Sequence, residues 1–322
     1  MVAAPLGRMK IGSRLGAINR TVQLYKLGGC GMGTTRRDFL VQGAGLFGGA
    51  VLTARFGGMV SAGTKIRVGA CDTSMRVKLD PGSLAVAKRI GLDGVEVFAG
   101  NAEDTLQVAK PDYRAELKAA MAETGVPVAS IMMGLLNGSP LATDPRGPAW
   151  LEQTVYAASD LGAEVILVAF FGKGDLRDGD GLKMKEVDAA VERIREAAPL
   201  AAKKGVTLGI ENTLSGRDNM MILDRIQHDS VKVYYDVGNS TGNGYDVPAE
   251  IRMMKDSICQ IHFKDRKSAY LGQGEVAYGP VAEAMGAIDY GGWVMLETKV
   301  AGDRDGDFAK NAAFTRELLG IG

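Results

Sequence analysis

From residue 65 onward, short apolar runs of strand length alternate with longer segments whose apolar residues recur at helical spacing. The run at residues 165–170 contains no polar side chain, which is typical of a strand covered on both faces. Residues 183–204 carry one continuous apolar stripe, which predicts a long helix that Pro199 should kink or restart. The pattern predicts strands at residues 66–71, 94–98, 126–132, 165–170, 206–212, 231–237, 258–263 and 293–297.

A helical segment follows each predicted strand. These helices fall at residues 80–91, 112–123, 151–161, 183–204, 219–227, 248–255, 279–288 and 305–319. Strict alternation predicts a parallel sheet, and eight such units predict a closed (β/α)₈ TIM barrel. An open doubly wound sheet, the competing fold, should have a glycine-rich phosphate-binding turn after its first strand, and residues 71–74 contain no glycine.

The loops that follow the strands are longer and more polar than the loops that precede them. Residues 134–147, 172–181 and 264–279 follow strands, whereas residues 91–93 and 124–125 precede them. Loops that follow the strands build the active site of such barrels, so we expect the functional site at that end. For residues 172–181, closure over a ligand and a mobile surface loop are equally compatible with the sequence.

The last four predicted strands each end in a side chain that can bind a metal ion. These are Glu211, Asp236, His262 and Glu297, and each is about one strand–helix unit from the next. Three carboxylates and one imidazole suit a hard divalent cation, Mn²⁺ first, with Mg²⁺, Co²⁺ or Zn²⁺ as alternatives. Each acid alone could be an ordinary solvated strand end. Their common position predicts a single metal site.

The first sixty-two residues differ in charge from the rest of the 322-residue chain. They hold eight basic residues and one acid, although the whole chain has no net charge. The remainder is therefore acidic, which argues against nucleic-acid binding.

The arginine pair at residues 35–40 (TRRDFL) resembles the twin-arginine export signal. A glycine-rich apolar run follows it, and residues 60–62 offer a small-residue cleavage site. We therefore predict a signal segment at residues 1–62, a barrel domain at residues 63–322, and a periplasmic or otherwise exported protein. No stable membrane insertion is expected after cleavage. The alternative is a chance arginine pair before a membrane anchor.

The chain has three cysteines, of which Cys30 lies in the predicted signal. Cys71 and Cys259 fall in the first and seventh predicted strands. Those strands are not neighbours in an eight-stranded barrel, so we expect two unpaired, buried thiols.

Five short motifs resemble the xylose isomerase-like barrels of the sugar phosphate isomerase/epimerase type. They are GIEN at 209–212, YDVGN at 235–239, IHFKD at 261–265, LGQGE at 271–275 and GWVMLE at 292–297. The resemblance covers residue 65 to about residue 320. It implies that Glu211, Asp236, His262 and Glu297 bind one divalent metal, and that Glu211 and Glu297 flank the reacting carbon.

The same resemblance suggests further roles near the substrate. We expect Lys264 to place a cation beside a substrate oxyanion, the alternative being a solvated loop lysine. Glu96, Asn212 and Asn239 are predicted to contact the substrate, although Glu96 could instead support the site, and Asn212 could orient a ligand. Two positions depart from the ketose 3-epimerases, which tend to have a histidine where Asn239 stands and an arginine where Ser268 stands.

The leading functional hypothesis is a metal-dependent sugar, polyol or keto-sugar isomerase or epimerase. It would remove a proton beside a carbonyl and pass through an enediolate. The alternatives are a metal-dependent lyase or hydrolase on a 3-keto-glycoside, and a non-catalytic carbohydrate-binding barrel. The endonuclease branch of these barrels needs several histidines for three zinc ions, and this chain has two. The expected partner is a small carbohydrate, and a homo-oligomer is compatible with the sequence.

Overall fold

The computed structural model describes residues 66–179 and 181–321. Eight parallel strands in this part close into a barrel, in the order β1-β10-β9-β8-β7-β4-β3-β2. The TIM-barrel prediction is thus confirmed. The predicted signal at residues 1–62 lies outside the described residues. The barrel strands are β1 (Arg67–Cys71), β2 (Gly94–Phe98), β3 (Val128–Met133), β4 (Val165–Phe170), β7 (Thr207–Asn212), β8 (Val231–Asp236), β9 (Ile258–Phe263) and β10 (Trp293–Leu296).

Helices cover the outside of the barrel between successive strands. They are α1 (Ser83–Ile90), α2 (Pro111–Thr124), α3 (Gly147–Leu161), α4 (Met184–Lys203), α5 (Gly216–Ile226), α6 (Val237–Gly242), α7 (Val247–Met254), α8 (Tyr278–Ala287) and α9 (Arg304–Leu319). The short helix α6 was not predicted. Helix α4 continues through Pro199 instead of restarting there, because Ala198 and Ala201 on either side stay buried in the same stripe.

The core consists of the apolar strand residues and the inner faces of the helices. All residues of β2, β3, β4 and β10 are buried, as expected for strands covered on both faces. Trp293 fills the barrel wall against Gly94, where a Cβ atom would lie 2.5 Å from its ring. Cys71 and Cys259 are unpaired thiols, as predicted, but only Cys71 is buried, whereas Cys259 is half-buried. Among the described residues, the helices are too short or too polar to cross a membrane.

The loop after β4 contains a small antiparallel hairpin, β5 (Arg177–Asp178) and β6 (Gly181–Leu182). Thr213 Oγ1 donates to Asp175 Oδ1 over 2.8 Å, and Arg177 donates to the Asn243 side chain over 3.3 Å. The hairpin is therefore tied to the neighbouring loops at the same end of the barrel. Its closure over a ligand stays a prediction, and Asp180 lies outside the described residues.

Candidate metal centre

The structure brings the four predicted ligands together at the carboxyl ends of four neighbouring strands. Glu211 lies in β7, Asp236 is the last residue of β8, His262 lies in β9, and Glu297 directly follows β10. In the pairing of β8 with β9, Asp236 stands opposite His262. The parallel register therefore places these side chains at one level of the barrel.

One donor atom from each of the four residues lies within 4.8 Å of the other three. From His262 Nδ1, Glu211 Oε1 is 3.0 Å away, Glu297 Oε2 is 3.7 Å away, and Asp236 Oδ2 is 3.9 Å away. Glu211, Asp236 and His262 are buried, and the Glu297 side chain is 28% exposed. The centre is thus closed on the barrel side and open toward the loops.

The residues present fit a hard divalent cation. Three carboxylate oxygens and one imidazole nitrogen face one point, which is the donor chemistry preferred by Mn²⁺, Mg²⁺ and Co²⁺. The two carboxylate oxygens of Asp236 also have different partners. Its Oδ1 accepts the backbone N–H of Asn239 and caps helix α6, whereas Oδ2 is buried and pairs with Lys264 Nζ over 2.8 Å. Oδ2 is therefore the oxygen of Asp236 that faces the centre, 3.9 Å from His262 Nδ1.

Lys264 supplies a positive charge beside the centre. Its Nζ lies 2.5 Å from Glu297 Oε2 and 2.8 Å from Asp236 Oδ2. Gly238 makes this position accessible, because a Cβ atom there would lie 2.5 Å from Lys264 Cγ and 2.6 Å from the Lys264 carbonyl oxygen. The lysine stem therefore passes over a residue that must lack a side chain.

The acids of the centre differ in their affinity for a proton. Burial raises the pKa of Glu211 to about 7, although His262 opposes the shift. Burial likewise raises the pKa of Asp236 against the effect of Lys264. For Glu297, burial acts in the same direction, but Lys264 and His262 outweigh it and hold the pKa below its usual range. At neutral pH, one acid in this arrangement can carry a proton while its neighbour stays ionised.

Asp265 organises the loop that follows β9. Its two carboxylate oxygens accept five backbone N–H groups, from Arg266, Gly272, Gly274, Glu275 and Val276. These bonds hold the 271–275 motif in place beside the centre. Its charged tip is an ion-paired group in which Glu275 contacts Arg266 and Lys267.

Glu96 does not lie where a substrate hydroxyl could reach it. Its side chain is fully buried beneath the His262 ring, with Oε1 at 3.0 Å from His262 Nε2. The strand pattern could not show this, because every residue of β2 is buried and the register against β3 shifts between Val95 and Glu96. Glu96 therefore supports the centre from below, which was the alternative to the predicted substrate contact.

The other predicted substrate contacts have different surroundings. Asn212 donates its amide to Asn219 over 2.7 Å and accepts the backbone N–H of Leu214 over 2.9 Å, so its side chain fastens the loop after β7. Asn239 lies in the first turn of α6, half-buried, with its backbone N–H bonded to Asp236. A substrate contact by Asn239 stays a prediction.

Sequence reasoning missed the polar residues inside the barrel. Ser130, Tyr234 and Gln260 are buried and bonded to one another or to Glu96. The available signal was Ser130, the one polar side chain of β3, together with Gln260 in β9 and Tyr234 in β8, which are polar residues that the predicted roles left unused. Buried polar groups of this kind require partners, and those partners meet at one place.

Residues 84–318 match the family model described as xylose isomerase-like TIM barrel. The chain therefore belongs to the xylose isomerase-like TIM barrel family. This agrees with the closed barrel and with the position of the centre at the carboxyl ends of its strands.

Similar proteins carry the names of sugar epimerases. The chain is 27% identical over 224 residues to the putative L-ribulose-5-phosphate 3-epimerase SgbU of Escherichia coli, covering 66% of this chain and 77% of that protein. It is 25% identical over 235 residues to the L-ribulose-5-phosphate 3-epimerase UlaE of Salmonella typhi, covering 66% and 80% respectively.

Solved structures share the fold. A D-allulose 3-epimerase from Methylomonas sp. superposes with a TM-score of 0.67 at 17% identity, covering 80% of this chain and 99% of that one. The 3-keto-D-glucoside 4-epimerase YcjR from E. coli superposes with a TM-score of 0.65 at 17% identity, covering 78% and 99%. At these identities the likeness concerns the fold alone.

Proposed function

We propose that this protein is a divalent-metal-dependent sugar epimerase or isomerase that moves a proton at the carbon beside a carbonyl. The observation that carries the proposal is the convergence of Glu211, Asp236, His262 and Glu297 within 4.8 Å at the open end of the barrel. The named relatives support a sugar as the substrate. We place this protein among enzymes that act on a ketose or keto-sugar.

Glu297 and Glu211 are suited to opposite proton-transfer roles. Glu297 remains ionised beside Lys264 and can accept a proton from carbon at a carboxylate oxygen. Glu211, whose pKa burial raises to about 7, can return a proton from the other strand end. Return to the opposite face of the carbon gives epimerisation, and return to the neighbouring carbon gives isomerisation. The Lys264 ammonium faces the negative charge that develops on the enediolate oxygens.

Glu211, Asp236, His262 and Glu297 would hold the metal ion. A divalent ion in this position would polarise the substrate carbonyl and lower the proton affinity of the surrounding acids. Mn²⁺ is the ion we propose first, on the basis of the oxygen-rich donor set.

The proposal is tested by incubating the Mn²⁺-loaded protein in deuterated water with ketoses, their 5-phosphates and 3-keto-glycosides. We expect deuterium at the carbon beside the carbonyl, together with a change of configuration or carbonyl position. Glu211→Gln and Glu297→Gln should each abolish exchange, whereas Glu164→Gln, at a surface pair with Arg67, should leave it unchanged. Release of an aglycone would replace the epimerase assignment with a lyase. Absence of exchange throughout this panel, despite bound Mn²⁺, would overturn it.

For the predicted signal segment, we propose export by the twin-arginine pathway, supported by residues 35–40 and the apolar run that follows. Replacing Arg36 and Arg37 with lysine should retain the protein in the cytoplasm of an expressing bacterium. Unchanged export of that variant would contradict the proposal.

A further inference from the structure

A buried carboxylate, Glu96, lies directly below the metal centre and is surrounded by four polar partners. Glu96 Oε1 is 3.0 Å from His262 Nε2 and 3.2 Å from the Cys71 thiol. Glu96 Oε2 accepts the Ser130 hydroxyl over 2.7 Å and the Tyr234 hydroxyl over 2.8 Å. The side chain is 0% exposed, so an ionised Glu96 depends on these donors to remain in the barrel interior.

The hydrogen bonds around Glu96 have a defined direction. An ionised carboxylate only accepts, so the hydrogens of Ser130 and Tyr234 both point at Glu96 Oε2. The hydroxyl oxygens are then free to accept, and Gln260 Nε2 lies 2.9 Å from each of them. Gln260 therefore donates its amide N–H groups to both hydroxyl oxygens. Each hydroxyl in turn donates its own hydrogen to Glu96.

The same logic places a hydrogen on Nε2 of His262. Because Glu96 Oε1 accepts from the imidazole, Nε2 carries a hydrogen. Nδ1 faces Glu211, Asp236 and Glu297, with Glu211 Oε1 at 3.0 Å, so each nitrogen of the metal-free imidazole faces a carboxylate. An ion at the centre would take the place of hydrogen on Nδ1, while Glu96 keeps the hydrogen on Nε2. The Tyr234 ring, with its centroid 4.5 Å from that of His262, packs against the imidazole and limits its rotation.

We propose that Glu96 is a positioning residue that keeps hydrogen on His262 Nε2 and thereby makes Nδ1 the metal ligand, with Gln260 orienting Glu96 through Ser130 and Tyr234. The effect of Glu96 on metal binding rests on the proposed function. The direction of the hydrogen bonds around Glu96 does not. The residue acts through His262 and has no contact with the substrate side of the centre.

The discriminating variant is Glu96→Gln. Ser130 and Tyr234 donate toward the former Oε2 position, so the new amide must present its oxygen there and its nitrogen to His262 Nε2. The imidazole then accepts at Nε2 and carries its hydrogen on Nδ1, where the metal should bind. We expect Mn²⁺ affinity, measured by calorimetric titration, to fall by about 10- to 100-fold, as is typical when a partner of a metal-binding histidine is lost.

Glu250→Gln is the matched control. Glu250 accepts the hydroxyl of Tyr235, the strand neighbour of Tyr234, and a backbone N–H from Gly216, away from the centre. The chemical change and the type of hydroxyl partner are thus the same as at Glu96. Mn²⁺ affinity should be unchanged in Glu250→Gln, and an equal loss in both variants would overturn the proposal.

A second measurement shows directly which nitrogens of the His262 imidazole carry hydrogen. The chain has two histidines, His228 and His262, so nitrogen-15 histidine labelling gives two imidazole signals, which a His228→Gln variant assigns. We expect a hydrogen on His262 Nε2 in the metal-free and Zn²⁺-loaded wild-type protein, and its loss in metal-free Glu96→Gln. A retained Nε2 hydrogen in that variant would overturn this inference. Wild-type protein that shows the expected Nε2 hydrogen and binds no Mn²⁺ would instead overturn the proposed function.

Tyr234→Phe keeps the test informative if Glu96→Gln does not fold. It retains the carboxylate acceptor but removes one of its two hydroxyl donors. We expect the Nε2 hydrogen to persist and Mn²⁺ affinity to weaken by about threefold to tenfold. Unchanged affinity would contradict the relay from Gln260. A second bound ion that is lost in Cys71→Ser would also contradict it, because Cys71, Glu96 and His262 Nε2 would then be ligands themselves.

Discussion

Lys264 determines which acids of the centre remain ionised. Its ammonium lies between Asp236 and Glu297, and its own pKa is raised because these carboxylates outweigh the effect of burial. Without that charge, burial alone would favour the protonated form of both acids. In the proposed reaction, the lysine would therefore keep Glu297 able to accept a proton and would also face the negative charge that develops on the substrate.

We predict that Lys264→Met lowers kcat by about 10²- to 10³-fold, the usual effect of removing one donor to a developing oxyanion. The pKa of Glu297 should rise in the variant, and since Glu297 must be ionised to act as the base, the acidic limb of the kcat/KM profile should move to higher pH. Lys267→Met is the control, because Lys267 is exposed and pairs with Glu275. An unshifted acidic limb would exclude the assigned role.

Asp72 is a buried acid that the proposed chemistry does not use. Its Oδ2 accepts the backbone N–H groups of Phe98 and Leu79, while Oδ1 is buried without a hydrogen bond in the described structure. Burial raises its pKa to about 7 from its ordinary value of 3.8. The folded protein therefore binds the proton more tightly than the unfolded chain, and this residue destabilises the fold as pH rises from about 4 to about 7.

The corresponding prediction compares wild-type protein with Asp72→Asn. The amide has no charge to bury, so the variant lacks this contribution to the pH dependence. Between pH 5 and pH 8, the free energy of unfolding of the wild type should fall by about 2 to 3 kcal/mol relative to the variant. Urea unfolding at both pH values measures the difference, and parallel behaviour of the two proteins would contradict it.

At the scale of single elements, helix α6 closely approaches Lys264, the residue that follows β9, beside the centre. Helix α6 begins directly after Asp236, and Gly238 in its first turn lies against the backbone and stem of Lys264. One short element thus fixes Asp236 through its N-cap and leaves space for Lys264. The arrangement couples local helix structure to the geometry of the ligands.

We predict that Gly238→Ala destabilises the protein by about 1 to 3 kcal/mol and weakens Mn²⁺ binding, because the new Cβ must displace Lys264 or the helix. Gly279→Ala provides a matched control in α8, where an added Cβ meets nothing within 4 Å. That change should be neutral or stabilising by up to about 1 kcal/mol. Equal thermal shifts and equal Mn²⁺ affinities in the two variants would refute the close approach.

At the scale of the whole molecule, the barrel and the convergence of the four candidate ligands could be predicted from sequence because both follow from strict periodicity. Each strand–helix unit delivers one side chain to the same rim, so Glu211, Asp236, His262 and Glu297 could be placed without knowing any contact. The position of Glu96 could not be predicted, because it depends on a register shift within a wholly buried strand. Helix α6 was missed because its few residues carry no apolar period.

The concentration of acids at one rim has a consequence for the stability of the entire barrel. Glu211, Asp236 and Glu297 lie close together, with Lys264 and His262 as the nearby basic groups. Mutual repulsion and burial should make this end of the barrel less stable than an uncharged equivalent. A cation that binds only the folded state should compensate, and the gain in free energy grows with the logarithm of its concentration above Kd.

We therefore predict opposite effects of Asp236→Asn with and without metal. In chelator-treated protein the variant should be as stable as the wild type or more stable, because one buried acid has become neutral. At Mn²⁺ concentrations about 100-fold above Kd, the wild type should gain about 2.7 kcal/mol, which the variant should largely lose. Thermal unfolding with Mn²⁺ and with chelator gives all four values. A variant that is less stable than the wild type without metal, or that gains equally from Mn²⁺, would show that Asp236 serves the fold rather than the ion.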